Sequence, residues 1–231
     1  MTPVILRGIG CKVIGYTGNT RRQLQHDRDL NRCVAVLARE DSCKFFSRSL
    51  LSRRHCGKYT YDDRRVLPDR LGRRFAAPQN CVKIGIKVKN FNLCKDWPVA
   101  YHGTSLANLA ASDSSILVNG FDLRVAERFG HGNGLYLTPS WSLAHYIAQN
   151  SVCATVDSVT TVRVILEVRV RLGKFDRRRN TFRNSEHPNL PCLEWPDSDI
   201  EWIVLEPENN VVITGLLMCL NDPSPHDGMR P

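Results

Sequence analysis

Trp97-Pro-Val-Ala-Tyr-His-Gly-Thr104, followed about thirty residues later by Gly134-Leu-Tyr-Leu-Thr-Pro139, decides how this chain is read. Val99 to Tyr101 is a short apolar run that predicts a buried strand, delivering His102 and then a glycine at its end. Leu135-Tyr-Leu137 predicts a second strand that stops at a helix start, with Thr138 as N-cap and Pro139 at the first helical position. Two polar, ring-bearing side chains, His102 and Tyr136, are thus expected at strand ends beside small residues. Sheet-based folds commonly meet a ligand at such places.

Regular alternation brackets this pair. Val82, Ile84, Ile86 and Val88 alternate with Lys83, Gly85, Lys87 and Lys89, the period of a strand with one buried face. Val162 to Leu172 is the clearest strand, with Val162, Val164, Leu166, Val168, Val170 and Leu172 on one side. Between them the pattern predicts a helix from Leu106 to about Ala111, a helix stop at Gly120, and a helix over 139–149. That last helix carries Leu143, Ala144, Ile147 and Ala148 on one face. Residues 173–199 read as a long loop, basic and then acidic. The chain closes on Glu201-Trp-Ile-Val-Leu205, a turn at Pro207-Glu-Asn-Asn210, and Val211 to Leu217, which predicts an antiparallel hairpin. Strands dominate and hairpins outnumber any βαβ pattern, so the expected class is α+β with a mostly antiparallel sheet and flanking helices.

The charge is unevenly spread. Residues 1–95 hold 21 Lys/Arg against 7 Asp/Glu, a net +14, whereas residues 96–231 carry a net −5. The expected organisation is a basic, poorly patterned extension over 1–80, an ordered domain over 81–220 and a flexible tail over 221–231. The basic residues of 1–95 suit nucleic acid or an acidic partner; a solvated surface with no partner is the alternative. No run reaches the ~18 consecutive apolar residues of a membrane span, and the N-terminus lacks a signal-peptide core. The compartment expected is intracellular, cytoplasmic or nuclear, with a mitochondrial presequence left open by Arg7, Lys12, Arg21 and Arg22. None of the nine cysteines falls at a Cys-x-x-Cys spacing. Reduced, mostly buried thiols and no metal site are expected.

In order, the His102-Gly-Thr104 triplet, Gly120-Phe121, Gly132-x-Gly134-Leu-Tyr136, Ala144-His-Tyr146 and Glu201-Trp-Ile-Val resemble the poly(ADP-ribose) polymerase type of ADP-ribosyltransferase. The resemblance covers about residues 81–220. It implies a split, mostly antiparallel sheet, NAD as co-substrate, and transfer of ADP-ribose to a protein acceptor. It implies a catalytic triad of His102, Tyr136 and Glu201. His102 would bond a hydroxyl of the adenosine ribose, and Gly103, with Thr104 beside it, would offer its backbone to the nicotinamide amide. Tyr136 and Tyr146 would enclose the nicotinamide ring, and Glu201 would hold the nicotinamide-ribose hydroxyl. Where the family often has a serine, three residues before the second tyrosine, this chain has Leu143; Ser142, one further back, is the substitute. Asp113-Ser-Ser115 resembles an insertion. Glu194 and Asp199 compete with Glu201, which alone opens a strand pattern. Arg177-Arg-Arg179 in the 173–199 loop is the expected acceptor-facing element. The same fold hosts tRNA 2′-phosphotransferases, which want a basic pair that a Tyr-and-Glu site matches less well. A non-catalytic module binding a nucleotide, protein or nucleic acid is the alternative function.

Overall fold

Its long apolar alternation puts Thr161–Val170 at the centre of the molecule, with strands on both edges and side chains packed on both faces. The computed structural model describes residues 57–59, 66–68, 74–76, 78, 81–105, 108–109, 116–123, 133–149, 154–155, 161–179, 181 and 195–221. In chain order these contain β1 (Gly57–Tyr59), β2 (Val66–Pro68), β3 (Arg74–Ala76), β4 (Cys81–Gly85), α1 (Phe91–Cys94) and β5 (Val99–Thr104). Then come α2 (Ile116–Asn119), β6 (Leu135–Leu137), α3 (Trp141–Gln149), β7 (Ala154–Thr155), β8 (Thr161–Val170) and β9 (Asp176–Arg178). The last elements are β10 (Glu201–Val204), α4 (Pro207–Asn210) and β11 (Val211–Asn221).

The class is α+β, as expected, and among the described residues every strand pair is antiparallel. The main sheet runs β1-β4-β11-β8-β5, with β7 also on β8; a smaller sheet runs β6-β10-β9. Val164, Leu166, Val168 and Val170 of β8 join Leu216, Met218, Trp202 and Leu143 in the principal core. The other face of β8 is buried too. Ile165 packs with Tyr101, Ala144 and Ala148 beneath α3, and Glu167 is only 4% exposed. That buried carboxylate is compensated: Lys83 Nζ lies 2.5 Å away and the Thr214 hydroxyl donates to it at 2.9 Å. A register shift between Ile213 and Gly215 presents Thr214 there.

The C-terminal hairpin expected from the pattern does not form. Both edges of β10 are taken by β6 and β9, and both edges of β11 by β4 and β8. The helical turn α4, begun by Pro207, carries the chain from one sheet to the other. The thiol expectation is also corrected for one pair: Cys81 and Cys219, register partners on β4 and β11 with Cα atoms 4.3 Å apart, form a disulfide. Cys94 is free and buried; burial raises its thiol pKa. β1 lies inside the stretch expected as an extension, yet it pairs with β4 and enlarges the main sheet. Most of residues 1–80, Asp113-Ser-Ser115, the loop 124–132 and the tail beyond Asn221 lie outside the described residues. No helix among the described residues is long and apolar enough to cross a membrane.

Candidate active site

The two sheets meet at one bridge. Tyr101 on β5 and Thr138, just past β6, exchange both backbone hydrogen bonds, at 2.7 and 3.0 Å. In an antiparallel ladder the next pair on that edge would be Gly103 with Tyr136. It does not form. Instead the carbonyl of Tyr136 accepts from Nδ1 of His102 at 3.0 Å, so an imidazole stands where the ladder would have continued. Residues two apart on a strand send their N–H and C=O groups to the same edge. Gly103 therefore points its backbone pair towards β6, on the side of Tyr136, where the ladder is not continued. The strand expected over Val99 to Tyr101 is longer: β5 runs to Thr104, with His102, Gly103 and Thr104 registered on Leu166, Ile165 and Val164.

The carbonyl partner fixes the tautomer of His102. Nδ1 must carry the proton, which leaves Nε2 as a lone-pair acceptor. Burial lowers the pKa of His102, partly offset by the Tyr136 carbonyl, so the ring is neutral at physiological pH. Phe121, just past the helix stop at Gly120, packs edge-on to this ring at 5.5 Å. Gly120 has φ of 77°, a backbone that side chains rarely adopt, and its N–H closes α2 on the Ile116 carbonyl.

Gly103 has a second reason to be glycine. A Cβ there would stand 2.3 Å from the carbonyl oxygen of Ala144 and 3.0 Å from the nitrogen of Ala148. Helix α3 thus lies directly on β5, which accounts for the missing side chain without any ligand. The helix starts two residues later than expected. Ser140, not Thr138, is the cap: its hydroxyl accepts from Leu143 N at 3.3 Å, while Thr138 Oγ1 accepts from Ser140 N at 3.1 Å. Leu143 is wholly buried. Ser142 and Tyr146, one turn apart, are half-buried on α3. Thr104 is buried, its hydroxyl 3.5 Å from the side-chain nitrogen of Asn108.

The third expected residue comes from the small sheet. Tyr136 pairs with Ile203, and Glu201 lies two residues before Ile203. Side chains opposite one another share a face, as do those two apart. Tyr136 and Glu201 are therefore on the same face. Arg178 on β9 is the direct partner of Glu201, and Arg177, Arg178 and Arg179 are all exposed. Strand β10 is held by aromatic packing behind it. Trp202 stacks on Phe175 at 4.3 Å, meets Trp195 edge-on at 6.0 Å, and donates from Nε1 to the Asp199 carbonyl. Glu201 itself is 2% exposed. The hydroxyl of Thr181 donates to its carboxylate, 2.9 Å from each oxygen. Of its competitors, Asp199 sits in a short 3₁₀ turn, Asp197–Asp199, and Glu194 lies outside the described residues.

His102, Gly103 and Tyr136 thus meet where the pairing of β5 with β6 stops, and Glu201 shares Tyr136's face on the neighbouring strand. An open groove of about 210 Å³, lined by Lys174, Phe175, Asp176, Ile203, Leu205 and Glu206 among others, lies beside this set and includes none of it. Thr181 was missed from sequence, and Phe121, read only as part of the Gly120-Phe121 pair, was given no contact there. Phe121 had a signal in the preceding Gly120; Thr181, twenty residues from Glu201, had none. No cluster of three or more His, Cys, Asp or Glu able to hold a metal occurs among the described residues. The sequence matches no protein-family model and no curated relative.

Proposed function

We propose that the chain is an NAD-dependent ADP-ribosyltransferase of the poly(ADP-ribose) polymerase type, with β5 and β6 forming the split of that fold. The observation that carries this reading is the interrupted ladder at Gly103 and Tyr136. A strand N–H and C=O where a ladder stops, beside an aromatic residue, complement a planar carboxamide, which needs one acceptor and one donor. Nicotinamide bears such a group. The neutral His102 supports it further, because Nε2 can accept from a ribose hydroxyl. So does Glu201, which already accepts a hydroxyl in this structure.

In this reaction the bond from ribose C1′ to the nicotinamide nitrogen breaks and C1′ bonds to the acceptor. The Glu201 carboxylate favours the cationic carbon that develops as nicotinamide leaves, and it orients the acceptor. Tyr136 and Tyr146 pack on the ring, while Thr104 and Ser142 line the cofactor side. The exposed Arg177, Arg178 and Arg179 flank Glu201 on the acceptor side and suit a protein with acidic residues. The compartment that goes with this reading is cytoplasmic or nuclear.

A second reading is a non-catalytic module of the same fold, favoured by the near-complete burial of Glu201 under Thr181. Labelled NAD separates the two. Transfer or hydrolysis that falls about 10²–10³-fold in E201Q supports the enzyme. Binding by the wild-type chain with no turnover supports the module.

A further inference from the structure

We propose that Thr181 is a positioning residue for Glu201, its single hydroxyl shared between both carboxylate oxygens and holding the acid in one orientation for the reaction. The inference deepens the transferase reading and rests on it. Thr181 Oγ1 stands 2.9 Å from each oxygen of Glu201, while the backbone of Glu201 is held in β10 between two strands. A glutamate has rotatable bonds beyond its Cβ, so a well-placed strand does not by itself place the carboxylate. A donor centred between the two oxygens does, because turning the carboxylate breaks the sharing.

The contact is compatible with substrate. A carboxylate has about four acceptor sites, more than the Thr181 hydroxyl takes up. The donor also comes from the basic stretch that follows β9, so the arginines flanking Glu201 and the group orienting it belong to one segment.

The test compares wild type, T181V, T181A and T181S of the full chain in NAD hydrolysis and ADP-ribose transfer, with thermal melts of each. Orientation matters most where charge develops, so kcat should fall about tenfold in T181V and T181A with KM within about twofold. T181S keeps the hydroxyl and should recover most of kcat, and the melts should stay close together. T181V or T181A with wild-type kcat, a KM rise at constant kcat, or failure of T181S to restore activity would each overturn the assignment while leaving the transferase reading standing. If T181V does not fold, T181A against T181S carries the same comparison. A folded wild-type chain that never turns over NAD overturns both.

Discussion

Gly103 carries two demands at one position. Its backbone faces β6 where the ladder is not continued, and its absent side chain lets α3 lie against the strand. An alanine there would push its methyl into the Ala144 carbonyl, a backbone atom that cannot swing away. G103A should cost about 1–3 kcal/mol or more of folding stability, read from denaturant unfolding, because α3 or β5 must shift. If the two demands act together, NAD binding should weaken as well. A G103A chain as stable as wild type would mean that the helix packs more loosely than described. At this scale the sequence was largely legible. His102, Tyr136 and Glu201 could be picked out as candidates because their chemistry depends on residue type and strand context, both local. Thr181 was not found, since a hydroxyl reaching an acid twenty residues away depends on how the intervening chain returns.

Helix α3 shows how an element carries its own pH sensitivity. His145 lies one turn from Trp141 with its ring 5.1 Å away, and the guanidinium of Arg163 on β8 stands 3.1 Å from Nε2. Burial, and then the Arg163 charge, lower its pKa to about 4. In the unfolded chain it would titrate near 6.5. Between those values the unfolded chain binds a proton that the folded one refuses, so stability is full above about pH 6.5 and declines as pH falls towards about 4. His102, also lowered by burial, contributes with the same sign. The melting temperature should therefore drop between pH 7.5 and pH 5, and H145Q should flatten part of that drop. An unchanged slope in H145Q would remove His145 from the account. Register at this scale was only half legible. The period of β8 was read from its valines, but burial of Ile165 and Glu167 on its other face was not, because α3 packs with Ile165, and Lys83 and Thr214 meet Glu167, from elsewhere in the chain. Likewise β10 and β11 are both strands as expected, yet each found partners other than its neighbour.

The whole molecule is tied across its main sheet by the Cys81–Cys219 disulfide, which closes a sequence separation of 138 residues. Closing so long a loop restricts the unfolded chain and contributes about 2–5 kcal/mol. Reduction, or the C81A/C219A double variant, should lower the urea midpoint accordingly, with the β4–β11 ladder still present. If reductant leaves the midpoint unchanged, the bridge contributes nothing. The outcome also bears on the compartment, since a reducing cytosol would leave β4 and β11 joined by hydrogen bonds and packing alone.

Taken by itself, the order of residues determined the strand-rich class and singled out the polar groups proposed as a site. Those depend on short-range alternation and on chemistry that each side chain carries wherever it goes. Tertiary structure alone decided the disulfide pair, the separation of β10 from β11 into different sheets, the late start of α3 and the hydroxyl on Glu201. The disulfide, the sheet partners and the hydroxyl on Glu201 join segments far apart in the chain, and α3 starts late because Thr138 is held in the bridge to Tyr101.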